Sequence, residues 1–224
     1  MREAGGLLAD AVAPVGYAVR GGPLAEDLRQ YKSDLAAPAA AGAAAGRLRE
    51  SLSTFLAGHG PQVWRAAGMP AGPAAAVVVP SGQGRPGPHP LAGIVGSCVD
   101  LPQVRLAVRP REVHARGVNA GWVRVASPVA AADLLVVDDT WVSGGSAQSV
   151  AAALKRAGAR RVAIVVLGRH VNPGDPRSGK FLAALSPSGA PPRHHSERMN
   201  VAREGDCHAV RLADLPAAGD RRSA

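Results

Sequence analysis

Residues 134–146 have the sequence Leu134-Leu135-Val136-Val137-Asp138-Asp139-Thr140-Trp141-Val142-Ser143-Gly144-Gly145-Ser146. The apolar run at the start predicts a buried strand over Asp133–Val137, which ends in two adjacent carboxylates. Residues 140–146 predict a turn, and an amphipathic helix is predicted over Ala147–Ala157, with Gly158 just past its end. Because a second strand is predicted over Arg161–Leu167, the whole segment indicates a βαβ unit with parallel strands.

The order of chemical groups along this segment suits a ligand with two different ends. Open α/β folds bind ligands at the carboxyl edge of the parallel sheet, and this is where the two acids are expected. A short loop with two glycines and two hydroxyls, followed by a helix N-terminus, can bind phosphate through backbone N–H groups. The acids suit a sugar diol or a hydrated divalent cation. A strand that ends by chance in ordinary turn residues is the alternative.

The segment resembles the phosphoribosyl pyrophosphate (PRPP) signature of the type I phosphoribosyltransferases. That signature is a hydrophobic strand, two acids, three residues and then Thr/Ser-Gly-x-Thr/Ser, which matches Ser143-Gly144-Gly145-Ser146. The resemblance implies an α/β fold with a central parallel twisted sheet, flanking helices and a small hood. Asp138 and Asp139 would hold the ribose hydroxyls in catalysis. They would contact Mg²⁺ only indirectly, because the metal ion is bound mostly through the pyrophosphate. The implied PRPP-binding residues are Asp138, Asp139, Thr140, Trp141, Val142, Ser143, Gly144, Gly145 and Ser146.

A Gly/Pro-rich loop follows an earlier predicted strand, Ala74–Val79. Its residues 82–87 fit the G-x-G-x-x-G pattern of dinucleotide-binding folds, but the nearby prolines prevent a helix from starting there. In the type I family, a loop at this place binds pyrophosphate through backbone amides and a basic group. The resemblance therefore implies a pyrophosphate loop, and a plain surface loop is the alternative. The loop consists of Ser81, Gly82, Gln83, Gly84 and Arg85.

A basic segment lies between two short predicted strands, Val104–Val108 and Trp122–Val125. The family has a mobile loop here, which implies that Arg109, Arg111 and His114 close over the substrate. Arg116-Gly117-Val118-Asn119 resembles an Arg-Gly-Phe-Asn element of the competence-associated branch, with Val118 in place of the aromatic residue. By that resemblance Arg116 is a catalytic candidate that stabilises the leaving pyrophosphate. A solvated basic loop is the alternative.

The N-terminal part is predicted to be mainly helical. One helix is expected to begin at Pro23, and a long one to cover residues 36–56 and stop at Gly58 or Gly60-Pro61. A third helix is predicted over Pro90–Val99. Tyr31-Lys32 resembles a Tyr/Lys segment of the competence-associated branch, but we favour an exposed cation at a helix end for Lys32.

The organisation expected is one phosphoribosyltransferase-like domain, residues 1–216, with its core at about 74–170. A hood would come from 1–70 and 172–216, and a loose tail from 217–224.

Composition narrows the class of protein. With 224 residues and 46% hydrophobic residues, the chain can bury a substantial core. The net charge of +9 suits an anionic partner, but the 3% of aromatic residues offer few stacking platforms, so we disfavour nucleic acid. No apolar run approaches a membrane span. The few cysteines indicate a reducing, cytoplasmic location, and Cys98, Cys207 and His194-His195 fit no usual zinc spacing.

Three functions are consistent with these patterns. The first is an Mg²⁺-dependent phosphoribosyltransferase that transfers the 5-phosphoribosyl group from PRPP to an unidentified, nitrogen-containing acceptor. The second is a non-catalytic or regulatory protein of the same fold that binds PRPP or a nucleotide. A metal-dependent hydrolase ranks last, because it would need further acidic ligands. Within the family, the chain resembles most the competence-associated and amidophosphoribosyltransferase-like members, and the resemblance implies a homodimer. Val142 stands where purine-type members carry a carboxylate, which disfavours a 6-oxopurine acceptor.

Overall fold

A computed structural model of the chain describes residues 6–81, 89–109, 117–175 and 210–211. The elements of this part are β1 (Ala11–Val19), α1 (Pro23–Gln30), α2 (Pro38–Ala67), β2 (Ala75–Val78), α3 (Pro90–Cys98), β3 (Leu106–Val108), β4 (Val123–Val125), β5 (Asp133–Trp141), α4 (Gly145–Arg156), β6 (Arg161–Val171) and β7 (Val210–Arg211). None of the described helices is long and apolar enough to cross a membrane.

The main sheet has five strands in the order β2-β5-β6-β1-β7. β2, β5, β6 and β1 are parallel neighbours, and β7 pairs antiparallel with β1. β5, α4 and β6 form the predicted βαβ unit, with Leu135 beside Ala163 in the register. The short strands β3 and β4 form a separate antiparallel pair. A central parallel sheet flanked by helices is therefore confirmed.

Helices cover both faces of the sheet, which explains why β5 and β6 are apolar without alternation. On one face, Leu135 and Val137 pack with the buried side chains of α1, α2 and α3. On the other face, Leu134 and Val136 pack with α4 and with Trp122. Since successive side chains of a strand point to opposite faces, any residue of β5 can be assigned to a helix layer from its position.

Strand β1 was not predicted. Its sequence contains Pro14 and Gly16, which are typical of turns and edges, yet it lies between β6 and β7. Its small residues Ala11 and Ala13 are fully buried in the core, where they fit under the helices. The core expected at about 74–170 thus leaves out two strands of the main sheet, β1 and β7. Most of the second hood segment and all of the tail lie outside the described residues.

The predicted end of the long helix at Gly58 or Gly60-Pro61 is wrong. α2 runs through Pro61 to Ala67 and ends at Gly68, which adopts a left-handed φ of 74°. Val63 and Ala67 are buried in the same cluster as Leu48. This tertiary packing outweighs the local preference of proline for a helix start.

The predicted turn at 140–146 is shorter in the structure. β5 continues through both acids to Trp141, because β6 also continues and pairs Thr140 with Gly168 and Trp141 with Arg169. α4 begins at Gly145, two residues earlier than expected. Only residues 142–144 separate the strand from the helix.

Candidate functional site

The two acids lie near the carboxyl end of β5, an interior strand of the main sheet. Asp138 stands beside Val166 of β6, and Asp139 is buried. On the other side of β5, β2 ends close by, where the Val79 N–H donates to the Val137 carbonyl at 2.9 Å. Ser81 therefore begins its loop next to the acid pair. The other predicted pyrophosphate-loop residues, Gly82, Gln83, Gly84 and Arg85, lie outside the described residues.

Asp139 is held by two residues from the segment after α1. The Tyr31 hydroxyl donates to Asp139 Oδ2 at 2.6 Å, and Lys32 Nζ donates to the same oxygen at 2.7 Å. Asp139 continues the strand face of Leu135 and Val137, which lies on the side of the sheet that α1, α2 and α3 cover. The favoured interpretation of Lys32 as an exposed helix-end cation is therefore wrong: its side chain is only 38% exposed, and it forms an ion pair at the site.

The two neighbouring carboxyls have opposite protonation tendencies. Burial by itself would raise the pKa of Asp139, but the charge and hydrogen bond of Lys32 and the Tyr31 hydroxyl outweigh burial, and the pKa is lowered. The charge of His89, at the N-cap of α3, acts in the same direction. Burial and repulsion by Asp139 raise the pKa of Asp138 to about 7. At neutral pH the pair thus carries between one and two negative charges.

This raised pKa predicts a pH-dependent stability. Unfolded Asp138 loses its proton near its ordinary pKa of 3.8, whereas the folded residue keeps it to about pH 7, so stability falls as pH rises between these values. Asp138→Asn mimics the neutral acid. We expect the variant to exceed the wild type by up to about 4 kcal/mol at pH 8, and the gain to vanish near pH 4. Denaturant unfolding at pH 4, 6 and 8 measures this difference, and a variant less stable than the wild type at pH 8 would contradict the assignment.

The loop after the acids is shaped by Gly144 and Trp141. Gly144 is buried and has a left-handed φ of 74° at the N-cap of α4. The Trp141 indole occupies the space where a Cβ of residue 144 would lie. This resolves the position of Trp141, which packs under the loop. Because Gly144 has no side chain to cap the helix, the first N–H groups of α4 suit an anion.

The predicted mobile loop is fixed at both of its described ends. The Arg109 N–H donates to the Trp122 carbonyl at 2.8 Å. At the other end, the Asn119 N–H donates to Ser149 Oγ at 2.8 Å, and Ser149 donates to the carbonyl of Gly145. The loop thus returns directly onto the start of α4. Arg111, His114 and Arg116 lie outside the described residues.

The structure brings together some predicted site residues and adds others. Asp138, Asp139 and residues 140–146 lie together where β5 leads into α4, and Ser81 follows the end of β2, the neighbouring strand. His89 and Ser149 were not predicted, and Lys32 was expected to face solvent. The partial match of Gly117-Val118-Asn119 to a family element was the available signal for the contact with Ser149. The residues Cys207, His194 and His195 lie outside the described part of the chain.

Comparisons with known proteins give remote likenesses. No protein-family model matches the chain, and no curated protein sequence matches it. A purine phosphoribosyltransferase from Pyrococcus horikoshii is similar at 14% identity over 58% of this chain and 88% of that one, with a TM-score of 0.35. A hypoxanthine phosphoribosyltransferase from Staphylococcus aureus is similar in two crystal forms. The first crystal form shows 14% identity and covers 55% of this chain and 74% of that one. The second shows 10% identity and covers 57% of this chain and 74% of that one. The TM-score is 0.37 in both comparisons. Functional argument therefore rests on the geometry of the site.

Proposed function

We propose that the chain is a phosphoribosyltransferase that uses PRPP and Mg²⁺ to transfer a 5-phosphoribosyl group to a nitrogen acceptor, releasing pyrophosphate. The observation that carries the proposal is the arrangement of β5 and α4. Two carboxylates stand near the carboxyl end of β5, and the three-residue connection after Trp141 leads straight into the N-terminus of α4. A ribose 5-phosphate likewise carries a diol and a phosphate, and the two groups lie on different parts of the molecule. The acids would accept hydrogen bonds from the diol, and residues 142–146 would bind the phosphate.

The reaction substitutes one group for another at the anomeric carbon. The bond from C1′ to the pyrophosphate oxygen breaks, and its electron pair leaves with pyrophosphate. A bond forms between the acceptor nitrogen and C1′, and the proton of that nitrogen passes to solvent. C1′ becomes more positive in the transition state, so the negative charge of Asp139 stabilises it electrostatically. Arg85, Arg109, Arg111 and Arg116 are cations that would stabilise the leaving group, and His114 would contact it from the same loop as Arg111.

The donor set at the edge fits an indirect role for Mg²⁺. The part of the chain that the structure describes contains no group of three or more His, Cys, Asp or Glu side chains that could hold a metal ion. Two carboxylates offer hard oxygen ligands, which suit Mg²⁺ that keeps most of its other ligands from water and substrate phosphates. Asp138 and Asp139 would contact the hydrated ion. When bound with PRPP, Mg²⁺ would neutralise the charge that develops on pyrophosphate.

The side chain at position 142 limits the choice of acceptor. Val142 is 73% exposed, so an apolar group stands at the loop where purine-type members have a carboxylate. An apolar side chain cannot accept a hydrogen bond from a purine ring nitrogen. We therefore propose an acceptor other than a 6-oxopurine. The homodimer and the cytoplasmic location stay predictions.

Calorimetric titration with PRPP and Mg²⁺ measures whether the chain binds PRPP. Pyrophosphate release in the presence of a panel of amines and bases measures whether it catalyses the transfer. We expect saturable binding that ribose 5-phosphate weakens by competition, and release of pyrophosphate with at least one acceptor. Binding without release for any acceptor would favour the non-catalytic alternative. Absence of PRPP binding would refute the proposal.

A further inference from the structure

Two residues remote in sequence from the acid pair grip a single oxygen of it. Tyr31 and Lys32 both donate to Asp139 Oδ2, across 108 and 107 positions of the chain. Tyr31 is 6% exposed, so its hydroxyl is fixed within the core, whereas Lys32 reaches the site from its rim. A carboxylate that accepts two such bonds on one oxygen has a defined rotamer.

The segment that carries these residues is firmly anchored. Leu24 and Leu28 of α1 are buried in the core, and Leu28 packs over Gly168 of β6, where a Cβ would overlap the leucine side chain. Among the described residues of α1 and the segment just after it, Lys32 is the one that forms an ion pair with the acid pair. The distance between this segment and β5 is therefore set by packing, not by the ion pair alone.

The hydrogen bonds from Tyr31 and Lys32 leave the second oxygen of Asp139 for a ligand. In the described part of the chain, the hydrogen bonds of Asp139 reach Oδ2 only. Asp138 Oδ1 accepts the backbone N–H of Asp139 at 2.9 Å, which fixes the second carboxyl. Asp138 accepts a further backbone hydrogen bond from Thr140, so Asp139 Oδ1 is the acceptor that remains among the described residues. A carboxylate oxygen of this kind can accept a hydrogen bond from a ribose hydroxyl.

We propose that Tyr31 and Lys32 are positioning residues that hold Asp139 through Oδ2 so that Oδ1 accepts a ribose hydroxyl. This inference rests on the proposed function. A carboxylate that is already oriented loses little side-chain freedom when the sugar binds, and this preorganisation strengthens binding. The opposite arrangement is a latch, in which Lys32 competes with the sugar for Asp139. The two arrangements differ in the sign of the effect when Lys32 is removed.

The test compares PRPP dissociation constants of Lys32→Met, Lys32→Arg and Tyr31→Phe, each titrated with Mg²⁺ present. We expect Lys32→Met and Tyr31→Phe to bind about ten- to a hundredfold more weakly, because each removes a hydrogen bond to a charged group. Lys32→Arg should recover most of the affinity, since its guanidinium can reach the same oxygen. Lys155→Met is the matched control: it breaks an ion pair of the same length, 2.7 Å to Asp10, at the amino edge of the sheet. It should lower thermal stability and leave the PRPP affinity unchanged.

A double-mutant cycle separates positioning from a general loss of structure. In an Asp139→Asn background, Lys32→Met should change the affinity by less than twofold, because its partner charge is already absent. Tighter binding by Lys32→Met would overturn the proposal in favour of the latch. Equal affinities of wild type, Lys32→Met and Tyr31→Phe would overturn it and leave the proposed function intact. A wild type that does not bind PRPP would instead remove the proposed function, and this inference with it.

Discussion

The double variant Asp138→Asn/Asp139→Asn is expected to lose PRPP binding by at least about a hundredfold. Asparagine keeps the size of each side chain, and its oxygen at position 138 can still accept the N–H of residue 139. The variant removes the carboxylates, which would accept hydrogen bonds from the ribose hydroxyls and balance the charge of the hydrated Mg²⁺. Calorimetric titration with PRPP and Mg²⁺ measures the loss, and pyrophosphate release should fall with it.

Asp133→Asn is the matched control for this experiment. Asp133 lies at the opposite end of the same strand, is 3% exposed and is paired with Arg160 at 2.6 Å. Its replacement leaves a guanidinium without its partner and should destabilise the fold, while the carboxyl edge stays as it is. If Asp133→Asn and the double variant reduce PRPP affinity equally, the loss reflects the fold rather than the site. Unchanged binding by the double variant would count decisively against a sugar site at this edge.

Gly144→Ala is expected to destabilise the protein by about 2–4 kcal/mol and to abolish phosphate binding. Two effects add at this position. The left-handed φ of 74° disfavours any side chain by roughly 1 kcal/mol, and the new Cβ would overlap the Trp141 indole. Either the ring or the loop must move, and the loop carries the first N–H groups of α4. Thermal unfolding gives the stability, and titration with ribose 5-phosphate gives the binding.

Gly21→Ala isolates the conformational part of that effect. Gly21 has a similar φ of 83°, but no atom lies within 4 Å of the position that a Cβ would occupy. We expect it to cost only about 1 kcal/mol. Adding Trp141→Ala to Gly144→Ala should recover part of the phosphate binding by making room for the Cβ. Equal losses from Gly144→Ala and Gly21→Ala would show that the packing of Trp141 does not shape the loop.

The acid pair and its loop were predictable because their geometry is local. An apolar strand, two acids and a glycine turn lie within a single βαβ unit, whose parallel connection follows general topological rules. The contact of Lys32 with Asp139 could not be inferred in the same way, because it depends on where α1 packs. Local preference at a helix end favoured a solvated Lys32, whereas α1 packs on the same side of the sheet as Asp139.

Tertiary packing also explains the missed elements. Pro14 and Gly16 make β1 a poor strand by propensity, but its small side chains let the helices pack closely over this part of the sheet. Pro61 indicates the end of a helix locally, and yet Val63 and Ala67 gain burial when α2 continues. In both segments, the energetic gain comes from residues far away in the chain. A pattern read along the sequence contains no record of these partners.

The pairing of β1 with β6 sets the time at which this sheet can form during protein synthesis. Asp10, next to β1, accepts the N–H of Val162 from β6 at 2.7 Å, across 152 positions. β1 therefore waits for its neighbour until β6 has been translated. At about 5–20 residues per second, this delay lasts on the order of ten seconds or more. Over that interval β1 and α1 need protection from premature association, so we expect chaperone supply to limit the yield of folded protein.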